Sequence, residues 1–279
     1  MIEGRIAALN LYPVKGAAGV AVERARVDVT GLGYDGVFDR EWMLVDASGT
    51  FLTQREMPRL ALVSVRAAAD RLSLAAPAMV PFELALAAPT GRARTVTVWR
   101  AQVRAFDQGD AVSEWLSAFL ARSVRLVRFD RVMERRCNPD YAGDSGAHIY
   151  FADGYPVLVI GEASLADLNA RLEARGTQSL PMNRFRPNLV VAGLEPYAED
   201  HLDTLEASEV TLRLVKPCTR CQVTTTDQAT GRVGVEPLPT LASYRRDDRL
   251  CGVTFGMNAV VLRAGNLRLG EPLAASYRF

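Results

Sequence analysis

The sequence predicts a β-rich α+β protein with few helices, and three observations carry that prediction. Short apolar segments broken by Gly and Pro run from Ile6 to Leu74 and return after Asn188. Only two segments repeat with a helical period, and no apolar run reaches the ~18 residues that a membrane span needs. With 49% hydrophobic and 23% charged residues, the 279-residue chain has the composition of a globular protein with a sizeable core and room for two mid-sized domains.

From the N-terminus, IAALNLYPV, GVAVERARVDV, WMLVDASGTFLT and LALVSVRAAADRLSLAA read as strands. In VAVERARVDV the alternation of Val20 and Val22, then Ala25, Val27 and Val29, has one slip, as a bulge or bend produces. Asp46-Ala-Ser-Gly49 marks a hairpin turn. The Ala/Pro-rich piece AAPAMVPFELALAAPTG reads as a surface connection with one short strand. In DAVSEWLSAFLAR, residues 110–122, Val112, Trp115, Leu116, Phe119 and Leu120 recur at helical spacing. MERRCNPDYAGDSG has no period and many turn formers, so a mobile loop is expected there. A second helix, SLADLNARLEAR, has Ser164 and Asp167 placed as a capping box, a stripe of Leu165, Leu168 and Leu172, and Gly176 to end it. Strands return as NLVVAGL, VTLRLVKP, CQVTTTD and MNAVVLRAG, with a last one near the C-terminus. A β-barrel is the economical way to close such a set without exposed edges.

A formal charge of +1 and a pI near 7.7 argue against nucleic-acid binding through bulk electrostatics, so any anion site must be local. The start MIEGRIAALNLYPVKG has no apolar run of signal-peptide length, and a cytoplasmic location is expected. Four cysteines are too sparse for a secreted disulfide scaffold. Two of them, Cys218 and Cys221, form a C-x-x-C beside Lys216 and Arg220, and nearby cations favour thiolate. Alone, the motif fits half of a zinc site, a redox pair or two core cysteines. Zinc lacks a second paired motif, since only Cys137, Cys251, His148 and His201 remain as nitrogen or sulfur ligands, and a thioredoxin-like site would follow the first strand of a βαβ unit. In NRFRPNLVV, Arg184 and Arg186 flank Phe185, a pairing suited either to a phosphate or carboxylate or to a surface salt-bridge cluster. Lys15 in YPVKG and Arg40 in FDREW are further cations at strand ends.

Together these segments resemble the MOSC family, and specifically its two-part members, the mitochondrial amidoxime-reducing components and their bacterial relatives. YPVKG, GLGYDGVFDREWMLVD, TQREMPRL, FADGYPVLVIGEASLADLN, NRFRPNLVV, YAED, PCTRCQVTTTDQATG, EPLPTLASYR and LRLGEPL look like family landmarks in the family's order, almost end to end. The resemblance implies a MOSC N-terminal β-rich domain over 1–122 and a MOSC β-barrel domain over 123–279, with a molybdenum cofactor (Mo-molybdopterin) in the cleft between them. It implies Cys221 as the catalytic metal-ligating cysteine, with Cys218 at a more variable place. Lys15, Arg40 and Arg186 match positions that hold the cofactor's phosphate and pterin, and Arg55, Asn183 and Arg184 are further candidates. Gly16 stands where a serine is common in the animal proteins, so the backbone amide is expected to replace a hydroxyl contact.

The implied activity is a molybdenum oxidoreductase that takes oxygen from a small N-hydroxylated substrate. No flavin, haem or iron–sulfur motif is visible and the chain stops at Phe279, so the electrons are expected from a separate flavin, haem or iron–sulfur protein. Two other classes compete. One is a non-catalytic carrier that passes sulfur from a cysteine persulfide to a cofactor, and the other is pyridoxal phosphate held by Lys15 or Lys216.

Overall fold

In the computed structural model, which describes residues 2–68, 70–87 and 91–278, seven strands close into a barrel. Around the ring run Ile2–Leu11, Leu189–Ala192, Val157–Gly161, Gly252–Arg263, Thr211–Thr219, Leu202–Glu206 and Pro272–Tyr277, the last pairing again with the first. Every pairing is antiparallel except Val157–Gly161 with Leu189–Ala192, where the helix Glu162–Ala174 makes the crossover that parallel strands require. Closure leaves the ring without a free edge. The first strand of the chain is thereby part of the same sheet as the C-terminal strands, so the two ends of the sequence share one core. Gly256, at φ +76, lets the long Gly252–Arg263 strand pass Val159 and Ile160. A Cβ there would lie 2.7 Å from the Val159 carbonyl oxygen and 2.6 Å from Ile160 Cγ1.

Outside the barrel, four-stranded, four-stranded and three-stranded sheets take up most of the region up to Phe129. The slip in the 20–29 alternation is a break at Glu23 between the strands Val20–Val22 and Arg24–Asp28. The 46–49 turn closes on Asp46, whose Oδ1 accepts the amides of Ser48 and Thr50. Both predicted long helices form, as Asp110–Leu120 and Glu162–Ala174. The other α-helices among the described residues have four and five residues. The Ala/Pro-rich piece contributes the strand Phe82–Ala85, although residues 88–90 lie outside the described part. No helix of the described residues is long and apolar enough to cross a membrane.

Three local expectations change. Ser164 does not cap its helix. It lies inside the first turn, and its hydroxyl donates to buried Glu199 at 2.7 Å, while the other oxygen of Glu199 accepts the Gly161 amide at 3.0 Å. The acceptor at this helix start therefore comes from a distant residue. CQVTTTD is not a strand. Gln222–Thr225 forms a 3₁₀ turn in which the hydroxyls of Thr224 and Thr225 donate back to the carbonyls of Cys221 and Gln222, giving the backbone an alternative to a ladder. The 133–146 segment is irregular but anchored, because Cys137, Ala142 and Ala147 pack with Ile149 and Val260, and Arg135 donates to the carbonyls of Tyr150 and Ala152.

One buried amide joins the barrel to the N-terminal strands. Asn188 is 1% exposed; its Oδ1 accepts from the Leu158 amide at 3.1 Å and from Arg40 at 3.2 Å, and its Nδ2 donates to Asp39 at 2.9 Å and Asn10 O at 3.2 Å. Asn188→Ala leaves these groups unsatisfied, so it should lower unfolding free energy by about 3 kcal/mol in urea titrations. Asn188→Asp, which sets a second carboxylate against Asp39, should cost at least as much. A loss under ~0.5 kcal/mol for both variants would deny the amide this joining role.

Candidate functional site

A cavity of about 320 Å³ opens beside the barrel mouth, and eight of the predicted site residues line it: Lys15, Gly16, Arg40, Arg55, Arg184, Arg186, Cys218 and Cys221. Asn183 does not. It is exposed on a separate groove with Ala7, Ala8 and Asn10, because the 3₁₀ turn Met182–Arg184 turns it away from the side that carries Arg184. Lys216 is also elsewhere, with its ammonium 4.5 Å from the centre of the Tyr141 ring.

Each cation is held by the local fold. Arg40 and Arg186 both have left-handed backbone, φ +49 and +55, which is uncommon for residues with a side chain. Both guanidinium groups lie over the ring of Tyr12, at 4.4 and 4.3 Å. Tyr12 is itself fixed by its hydroxyl on Pro187 O and its amide on Asp39, and burial pushes its phenol up to about 12, so it stays neutral. Arg40 pairs with Asp39, whereas among the described residues Arg186 has no carboxylate partner and its side chain has only the Ala17 carbonyl at 2.6 Å. Burial brings Arg186 down to about 10, still well above neutrality, so it remains a cation. Lys15 donates to Phe151 O at 2.8 Å and to Asp153 at 2.5 Å, and burial lowers its pKa against the opposing pull of Asp153. The Asp153 side chain is 73% exposed, and the Lys15 ammonium and the indole N–H of Trp99 outweigh what desolvation it has and hold it below the ordinary carboxylate range.

Arg184 spans Thr225 O and Asp227, both at 2.9 Å, and Arg55 stacks on Trp99 at 4.7 Å. Arg220 lines the cavity too, but its guanidinium is spent on the carbonyls of Phe185 and Phe255. The wall thus carries six basic side chains against one carboxylate, Asp153, which makes it a site for an anion. Four polar groups on this wall are buried without a partner: Arg55 Nε, Arg184 Nε, Arg186 Nη2 and the Tyr155 hydroxyl. Buried donors are normally satisfied, so four such groups at one cavity, with four others elsewhere in the described residues, suit a ligand rich in acceptors.

The cysteines differ in setting. Cys218 ends a barrel strand and packs against the Phe185–Phe255 cluster, and burial raises its pKa. Cys221 stands exposed at the start of the 3₁₀ turn, at the cavity edge. Gly16 adopts φ +84, and a Cβ there would meet Leu60 Cδ2 at 2.7 Å, so a serine would be strained at this position; Gln54 donates to the Gly16 carbonyl at 2.6 Å. Asp39, Asp153 and Asn188 were not singled out in the sequence, although each adjoins a motif that was. Tyr12 and Tyr155 lie inside quoted landmark segments but were not singled out, and Trp99 gave no sequence signal beyond being aromatic.

Comparison with known proteins matches residues 3–123 to the MOSC N-terminal beta barrel domain and residues 146–274 to the MOSC domain. The Homo sapiens "Mitochondrial amidoxime-reducing component 1" is 36% identical, covering 97% of this chain and 82% of that one. The chain belongs to the MOSC family. The Rattus norvegicus "Mitochondrial amidoxime reducing component 2" is 35% identical with the same coverage. In this MOSC protein the cavity takes walls from both matched regions, Lys15, Arg40 and Arg55 from the first and Arg184, Arg186 and Cys221 from the second.

The settings of the four thiols give a direct check. Burial pushes Cys137 up to about 11, and both Cys137 and Cys218 are more enclosed than Cys221 and Cys251. Brief iodoacetamide treatment at about pH 8, followed by peptide mass spectrometry, should label Cys221 and Cys251 first. Labelling of Cys137 or Cys218 ahead of Cys221 would contradict the geometry of the cavity edge.

Proposed function

We propose that this chain is a molybdenum-cofactor-dependent oxidoreductase that removes oxygen from N-hydroxylated compounds, with Cys221 as the thiolate ligand to the metal. The supporting observation is the set of unpartnered buried donors, on a wall with an excess of cations, beside one exposed cysteine. The names of the two mammalian relatives state amidoxime reduction, and those proteins match nearly the whole chain. When bound, the cofactor supplies a metal centre able to exchange an oxygen atom together with an electron pair.

The chain's own part is binding and orientation. Arg186 offers Nη2 and its undivided charge to the cofactor's phosphate, and Lys15 has one ammonium proton left after Phe151 and Asp153 take two. Arg40, neutralised by Asp39, keeps Arg186 in place through Tyr12 and through a 3.5 Å contact from Nη2 to the Arg186 carbonyl. Arg184 Nε, Arg55 Nε and the Tyr155 hydroxyl are left for the ring heteroatoms of a pterin. Cys221 would hold the metal as a thiolate, and a soft sulfur suits molybdenum. Two electrons per turnover come from a separate donor protein in this reading. A persulfide on a metal-free but functional Cys221 would instead favour the sulfur carrier.

Cys221→Ser should abolish amidoxime reduction while circular dichroism stays normal, because an alcohol replaces thiolate poorly on this metal. Cys218→Ser should be milder. Equal losses in the two variants, or a requirement for Cys218 alone, would reverse the assignment of the ligand. In the cofactor-loaded protein, alkylation should spare Cys221 and still reach Cys251.

Arg186→Ala should purify with at least about tenfold weaker retention of molybdopterin and unchanged circular dichroism, since a charge-assisted bond of about 1.5–3 kcal/mol is lost. The pH dependence follows from the lowered Arg186. Its cationic form binds the anion, so the contribution of Arg186 to affinity should be present below about 10 and be lost as pH rises through that value, alongside any loss from Lys15, whose pKa burial also lowers. Retention that is indifferent to both the substitution and the pH rise would remove Arg186 from the site.

A further inference from the structure

A second, shallower groove adjoins the cavity and shares two walls with it, Arg55 and Trp99. Trp99 occupies an unusual position. Val98 pairs with Ala101, so Trp99 and Arg100 form a two-residue hairpin turn, and Trp99 carries φ +55. Such turns favour Asn or Gly, and a bulky aromatic residue there is strained. The indole is nevertheless clamped. Its N–H donates to Asp153 at 2.9 Å, its ring meets Phe51 at 4.9 Å, and Arg55 covers it at 4.7 Å. With 42% of its surface still exposed, it stands between the inner cavity and the outer groove. Strain that the surroundings maintain at a cavity mouth is a mark of function.

The outer groove has a matching charge. Arg100 lines it, is exposed, and makes no ion pair or side-chain hydrogen bond among the described residues; Arg136 lines it further out, paired only with exposed Glu134. We propose that this groove is a substrate subsite in which Trp99 stacks a planar ring and Arg100 receives an anionic substituent on that ring. The inference rests on the oxidoreductase reading for what is held at the inner end, but the recognition itself needs only the groove. The preferred substrate is then an aromatic N-hydroxylated compound bearing a carboxylate or phosphate, with Trp99 and Arg100 as positioning residues. An aromatic face and a guanidinium together select a flat anion over a flat neutral molecule.

Trp99 also provides the readout, since Trp42 is fully buried and Trp115 is partly buried with its N–H on Val80 O. Titration of the cofactor-loaded protein with 4-carboxybenzamidoxime should quench indole fluorescence saturably, and about tenfold more tightly than unsubstituted benzamidoxime does. Trp99→Gly, which suits the turn backbone but gives up the contacts with Phe51, Arg55 and Asp153, should abolish the quench while circular dichroism stays normal. Arg100→Ala should weaken the carboxylated compound to the level of the neutral one, raising its KM while leaving kcat and the neutral compound unchanged. An equal response to both compounds in the wild-type protein, or a quench that survives Trp99→Gly, overturns the proposal. Should the carboxylate preference appear in binding while neither compound is reduced, the subsite stands and the reaction assignment fails.

Discussion

The arrangement depends on how the buried pair Asp39 and Arg40 is satisfied. A carboxylate and a guanidinium taken out of water cost several kcal/mol each unless their remaining hydrogen-bonding capacity is used. Here Asp39 accepts from the Tyr12 amide and the Asn188 amide, and Arg40 reaches Asn188, the Arg186 carbonyl and the Tyr12 ring. Tyr12 follows directly on a barrel strand, Asn188 immediately precedes another, and residues 39 and 40 belong to a loop outside the barrel. Satisfying one buried ion pair therefore fixes the loop to the barrel and places Arg186 with it.

That fixation explains why Arg186 stays unpaired by any carboxylate. Among the described residues the buried acid of the cluster, Asp39, is already committed to Arg40, and Tyr12 offers Arg186 a ring face and no charge. The cavity is left with a cation whose Nη2 has no hydrogen-bond partner among the described residues. Lys15 and Arg184 are tempered by Asp153 and Asp227, so the positive excess rests on Arg55, Arg186 and Arg220, which form no ion pair among the described residues. The same cluster that holds the halves together thus places one of these cations.

Much of this was readable in the sequence, and the limits have physical causes. The two helices were visible because their leucine and aromatic stripes repeat over three turns, and most strands because alternation survives in VAVERARVDV and VTLRLVKP. VLVIG showed no alternation because the strand Val157–Gly161 is buried on both faces, and apolar runs of that length do not distinguish strand from helix. Leu202–Glu206 is too short and too polar to stand out. The basic residues that line the cavity were legible as cations near turns, whereas the separate placement of Asn183 was not, because sequence adjacency to Arg184 says nothing about which side of a 3₁₀ turn faces the cavity. Trp99 was invisible because its role comes from a backbone angle and from contacts with residues 51, 55 and 153.

The cavity is also where local rules are broken together: left-handed backbone at Arg40, Arg186 and Trp99, orphaned donors at three arginines, and cations in excess. A chain selected for stability alone would relieve these, and proteins tend to keep such inconsistencies where function requires them. Their cost is recoverable. An anion that binds the folded chain and not the unfolded one stabilises it by about 2.7 kcal/mol at a hundredfold excess over its dissociation constant, in addition to satisfying the idle donors. The strain need not be offset within the protein, because a ligand can offset it. On that argument the barrel and its joining cluster supply the stability on which the strained site rests, and ligand binding should make the region around Arg186 and Tyr155 more rigid.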